Sequence, residues 1–200
     1  MTFRSRSPWL FSFGALVLLV AAQLAYFIPI IQAESTQPSG DFDLVLTYSD
    51  LSNMDPALDL ALAHSKPLFI SQAPWEPNPF TNRPPGNLRN VFIDSFAKTT
   101  DWNARDAARF IKRGGYKRVV LDVAWFHVPR ALFLTRLYLL GSGVEVIPCT
   151  KTPVPQRWWA DRLFHIELFK FWGSLGRVAL AAVGWETGPN EPSKNTSSKF

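Results

Sequence analysis

The feature that most constrains this chain is a run of 23 residues without a charge, Trp9 to Ile31 (WLFSFGALVLLVAAQLAYFIPII). As a helix it would be roughly 35 Å long at about 1.5 Å per residue, enough to cross a hydrocarbon core of about 30 Å with some tilt. The run therefore reads as a membrane span. A cleaved signal peptide competes with that reading, but its apolar region is normally only about 7–15 residues long. Tolerable cleavage points follow Val20-Ala21-Ala22 and Ile31-Gln32-Ala33, and the first would leave an apolar remnant. Arg4 and Arg6 precede the run, and no Lys or Arg occurs again before Lys66, while Glu34, Asp41, Asp43, Asp50, Asp55 and Asp59 lie between. Excess positive charge stays in the cytoplasm, so the N-terminus is expected inside and the rest outside. In a bacterium this means a single-pass inner-membrane protein with a periplasmic C-terminal domain.

The expected organisation is a cytoplasmic N-terminus and transmembrane anchor over 1–33, a polar linker (ESTQPSG) over 34–40, an α/β domain over 41–185 and a disordered tail over 186–200. The 14% aromatic content is too high for a chain that stays solvated and unfolded. One cysteine, Cys149, excludes an intrachain disulfide, and with His only at 64, 127 and 165 neither a metal site nor a cofactor is expected. The net charge of +5 favours anionic partners, but no nucleic-acid motif accompanies it.

After the linker, short apolar runs alternate with helical patterns. Leu44 to Thr47, Pro67 to Ser71, Asn90 to Asp94, Arg118 to Val123 and Val144 to Pro148 read as strands. Helices are expected from Asp55-Pro56 to about His64, from a cap at Thr99 or Thr100 to Gly114-Gly115, from Val128 to Leu140, and from Gln156 to Val183. This order predicts a Rossmann-like α/β sandwich with a mostly parallel sheet of about five strands. In such sheets ligands sit beyond the carboxyl ends of the strands, which makes the residues after each strand the candidates.

His127 and Arg130 follow the fourth strand, three residues apart at a helix start where the dipole adds positive potential. Arg130 is placed to grip a phosphate or carboxylate and His127 to move a proton; the alternative is that His127 caps backbone and Arg130 pairs with a nearby carboxylate. Asp94, at the end of the third strand, is a candidate to orient His127 or to meet ligand hydroxyls, and Thr100 and Asn103 offer short polar groups, with helix capping the alternative for Thr100. The stretch Ser71 to Asn90 has five prolines with Trp75 and Glu76, the pattern of a lid or binding loop or else a structural flap, and makes Glu76 a candidate ligand contact.

Together these residues resemble the domain-of-unknown-function family that includes the bacterial envelope proteins SanA, ElyC and YdcF. Asp94, Thr100 and Asn103 match an acidic residue followed by an Asn-Thr-x-Glu-Asn-like helix start, and His127, Pro129, Arg130 and Ala131 match a Thr-Ser-x-x-His-x-x-Arg-Ala-like strand end. The family usually has glycines after its first two strands, where this chain has Thr47-Tyr48-Ser49 and Ser71-Gln72-Ala73; Thr99, Trp102 and Val123-Ala124 also depart from the pattern. The resemblance implies a Rossmann-like fold and an envelope role, with an anionic, phosphate-bearing small molecule or carrier lipid as partner. The missing glycine turns and the Trp- and Phe-rich surface fit a second class, a non-enzymatic scaffold with an envelope protein partner.

The closing helix interleaves Trp158, Trp159, Phe164, Phe169, Phe171 and Trp172 with Arg157, Arg162, Lys170 and Arg177. This suits a helix lying at a lipid interface, or one packing its aromatic side on the sheet. Glu167 on this helix is a candidate to approach the cleft.

Overall fold

The computed structural model describes residues 8–33, 38, 40–48, 54–76, 90–150 and 152–185. The expected tail, most of the linker and residues 77–89 of the proline-rich stretch lie outside the described residues.

Helix α1 (Pro8–Gln32) is followed by β1 (Leu44–Tyr48), α2 (Met54–His64), β2 (Leu68–Ser71), β3 (Val91–Asp94), α3 (Thr100–Gly114), β4 (Arg118–Asp122), α4 (Val128–Tyr138), β5 (Glu145–Cys149) and α5 (Arg162–Ala182). The five strands form one sheet in the order β3-β2-β1-β4-β5, and every neighbouring pair is parallel. The fold is thus α/β and Rossmann-like, with one N-terminal helix long and apolar enough to cross a membrane. Parallel strands covered on both faces need apolar side chains on both, and β1 accordingly runs Leu-Val-Leu-Thr-Tyr with every residue buried. Leu44, Leu46, Val119 and Leu121 meet α3 and α4 on one face, while Val45, Leu68, Ile70 and Val120 meet α2 on the other.

Local chemistry sets the helix ends. At α3, Ala104, Ala107, Ala108 and Ile111 make a buried stripe, and Gly115 closes the helix at φ +70°, a left-handed conformation that favours glycine. The closing helix starts later than expected, at Arg162. Asp161 caps it by accepting the Leu163 N–H, and the preceding Trp158–Ala160 forms only a short 3-10 turn.

A third apolar cluster lies outside the α3–α4 layer. It joins Phe27 and Ile31 of α1 to Trp125, Phe164 and Phe171, with Phe133 of α4 packed against it. Helix α5 thereby crosses the N-terminal ends of both α3 and α4: Glu167 meets the first turn of α4, and Arg177 pairs with Asp101 in the first turn of α3.

Candidate functional site

Between β1 and β4 the chain reverses its order of adding strands, and in doubly wound sheets the crevice opens at this point. A cleft of about 190 Å³ lies there. Tyr48 and Ala124 come from the strand tips, Thr100 and Asn103 from the start of α3, His127 and Arg130 from the start of α4, and Glu167 and Lys170 from α5. A larger cavity of about 240 Å³, between the last turn of α1, α4 and the tip of β5, is mostly apolar; its arginine, Arg136, donates to the Val146 carbonyl at 2.8 Å.

The chemistry of the cleft centres on one buried carboxylate. Glu167 is 2% exposed and accepts from Arg130 Nε at 2.6 Å and from Arg130 Nη2 at 3.0 Å. A carboxylate taken out of water needs such a bidentate partner, because an unpaired buried charge costs several kcal/mol. His127 Nδ1 lies 3.1 Å from Glu167 Oε2 and 3.1 Å from Arg130 Nη2. It cannot donate to the first and accept from the second at once. The ionised oxygen is the stronger partner, so Nδ1 keeps the proton and Nε2 is left with a lone pair, the arrangement of a base oriented by a carboxylate. Burial holds the His127 pKa below its ordinary value of 6.5, against the raising effect of Glu167. Burial alone would raise the Glu167 pKa, but His127 and Arg130 together hold it well below the carboxylate range. Lys170 Nζ, 3.4 Å from Glu167 Oε1 and 57% exposed, supplies the exposed cation of the cleft.

Two helices present their N-terminal ends here. Thr99 stands at the N-cap of α3 but makes no side-chain cap, and Pro129 occupies the first turn of α4. Both dipoles put positive potential on the cleft. Asn103 Oδ1 accepts from Ser71 Oγ at 3.1 Å, which ties α3 to the tip of β2. Tyr48 is buried and its hydroxyl is 2.6 Å from Thr135 Oγ1, whose own proton goes to the Ala131 carbonyl, so Tyr48 donates.

The structure brings five of the seven sequence candidates together, His127, Arg130, Thr100, Asn103 and Glu167, and leaves two apart. Asp94 does not orient His127. It sits at the tip of the edge strand β3, and with β2 and β1 intervening the offset is roughly 14 Å at about 4.8 Å per strand. Its Oδ1 accepts the Phe96 N–H at 3.2 Å, and burial together with Asp106 raises its pKa. Glu76 does not line the cleft either; its carboxylate accepts the Ala73 N–H and closes a turn after β2. Arg130 lines the cleft and follows the alternative weighed for it, pairing with a carboxylate through Nε and Nη2, and Lys170 is the exposed cation beside it. The sequence carried one signal for Glu167. It is the only acid between Arg162 and Ala182, and with Phe164 and Phe171 it falls on the buried stripe of α5, where a carboxylate must find a buried cation.

Comparison with protein-family models, with curated proteins and with solved structures returns no match. The likeness to SanA, ElyC and YdcF accordingly rests on the residues quoted for it.

Proposed function

We propose that this chain is an anchored extracytoplasmic α/β domain of the SanA type, held in the inner membrane by α1 with its domain in the periplasm. In this reading the cleft binds an anionic, phosphate-bearing molecule or carrier-lipid headgroup in cell-envelope or surface-polysaccharide metabolism. The observation that carries it is a histidine oriented by a buried carboxylate in the switch-point crevice, with an exposed lysine on the rim. Lys170 and the helix N-termini attract the anion, Thr100 and Asn103 position it, and Arg130 holds Glu167 in place. Where the ligand is turned over, His127 Nε2 is the general base.

The full chain in detergent, titrated with inorganic phosphate and with a polyprenyl phosphate, tests this reading. Lys170→Ala is expected to weaken binding about tenfold, the value of one charge-assisted hydrogen bond. His127→Ala is expected to weaken it less, since neutral Nε2 can only accept from a protonated phosphate oxygen, and Asp94→Ala to leave it unchanged. Binding that survives both cleft substitutions, or no binding by the parent chain, would overturn it.

The neutralisation of Arg130 by Glu167 favours a second reading, a scaffold subunit that has lost its ligand chemistry. Gentle detergent extraction followed by mass spectrometry separates the two. A stoichiometric protein partner without a phosphate compound supports the scaffold, and a co-purifying phosphate compound supports the binder.

A further inference from the structure

We propose that the outer face of α5, from Phe169 to Val183, lies in the bilayer's outer leaflet beside α1, so that the cleft opens at headgroup level. This rests on the anchored reading above and specifies the side from which the anion arrives.

Helix α1 does not stand clear of the domain. Gln23, Phe27 and Ile31 are buried against it. Gln23 is bound at both ends of its amide: Nε2 donates to the Leu168 carbonyl at 2.9 Å, and Oε1 accepts from Trp172 Nε1 at 2.8 Å. Phe27 stacks edge-on against Phe171 at 5.3 Å, and Tyr26 against Phe133 at 5.7 Å. The helix from Pro8 to Ala22 is about 22 Å long, whereas the hydrocarbon core is about 30 Å thick. The docked portion must cover the remainder, which draws the α5 segment it touches down to membrane depth. A glutamine at that depth needs both its donor and its acceptor satisfied within the protein, as Gln23 has them.

The face of α5 turned away from the domain suits that position. Phe169, Trp172, Leu180 and Val183 recur at helical spacing on one side, with Phe169 80% and Val183 77% exposed. Trp172 belongs both to this face and to the α1 contact, so the apolar surface runs on from the anchor without a break. Lys170 and Arg177, seven residues apart, stand on the flank towards the cleft. A helix at a lipid interface carries this pattern, with aromatics at headgroup depth and cations towards the phosphates. Continuity with α1 and the cationic flank identify the occupant as an anionic bilayer.

Depth measurement on the full chain tests the assignment. Nitroxide labels are placed at Phe169→Cys and Val183→Cys, with Arg109→Cys on exposed α3 as the aqueous reference; the native Cys149 is buried. The chain is reconstituted into vesicles of phosphatidylethanolamine and phosphatidylglycerol. Oxygen is expected to relax the labels at 169 and 183 more than a water-soluble nickel complex does, with the order reversed at 109. Labels at 169 and 183 open to nickel would overturn the proposal. So would labels shielded from both reagents, the signature of a protein neighbour. The substitutions are on the surface and leave the core untouched. Labels in water while phosphate binding persists would remove this inference and keep the proposed function; lipid-exposed labels with no phosphate binding would do the reverse.

Discussion

The tips of β4 and β3 both end in polar residues that point to chemistry, yet they are built in opposite ways. At the β4 tip His127 and Arg130 converge with Glu167 from α5, and every charge has a partner within hydrogen-bonding distance. At the β3 tip Asp94 is half-buried, accepts a backbone N–H and has another acid, Asp106, near enough to raise its pKa. The first tip gains stability from its ionised groups and the second loses it. Position along the sheet makes the difference: α5 passes over the start of α4 and of α3, and β3 lies at the far edge.

Breaking the first tip should have the largest effect. Glu167→Ala leaves Arg130 buried without a counter-charge and is expected to cost about 3–5 kcal/mol, measured by urea denaturation of the chain in detergent. The paired change Arg130→Met with Glu167→Leu should recover most of that loss, since both desolvated charges leave together.

Acid should separate the tips next. The Glu167 pKa is depressed from 4.5, so its stabilisation is complete above the unfolded carboxyl range and disappears as pH falls through the depressed value. His127 is lowered from 6.5, so its contribution begins to fall as pH drops through 6.5. Asp94 is raised from 3.8 and has the opposite sign: its favourable contribution is present below 3.8 and is lost as pH rises through its folded value. Melting temperature against pH should therefore fall on acidification from about 6.5, and steepen below about 4.5. A profile flat from pH 7 to 3 would contradict the paired geometry at β4.

The tie between the β2 tip and α3 is weaker. Ser71→Ala removes the hydrogen bond to Asn103 and should cost about 1 kcal/mol. The smallest effect has the reverse sign. Asp94→Asn keeps the acceptor for Phe96 and removes a charge that burial penalises, so a slight rise in melting temperature at neutral pH is expected. A loss there would mean that the carboxylate has a partner at the β3 tip.

Most of the architecture was legible in the chain. Apolar runs of four to six residues separated by helical stripes identified all five strands, because a parallel sheet must be apolar on both faces. Thr99-Thr100 and Gly114-Gly115 marked the ends of α3, the C-terminal end through glycine's left-handed backbone, although Thr99 makes no side-chain cap. The site was only half legible. His127 and Arg130 are three residues apart and follow one strand, so local spacing found them. Asp94 was joined to them because it also ends a strand, but strand order is a property of the whole sheet, and two strands intervene. Glu167 lies 37 residues beyond Arg130, and only the contact between α5 and α4 brings them together.

Phe27 and Ile31 make α1 a contributor to the domain's own interior. Where the chain is cut therefore matters twice over. Proteolysis after Ala22 would keep the Gln23–Ile31 stub in its groove and leave the globule's packing intact. Proteolysis after Ala33 would lay Trp125, Phe164 and Phe171 open to water together and yield a species prone to aggregate. The helix long and apolar enough to cross a membrane thus also serves as the domain's stopper.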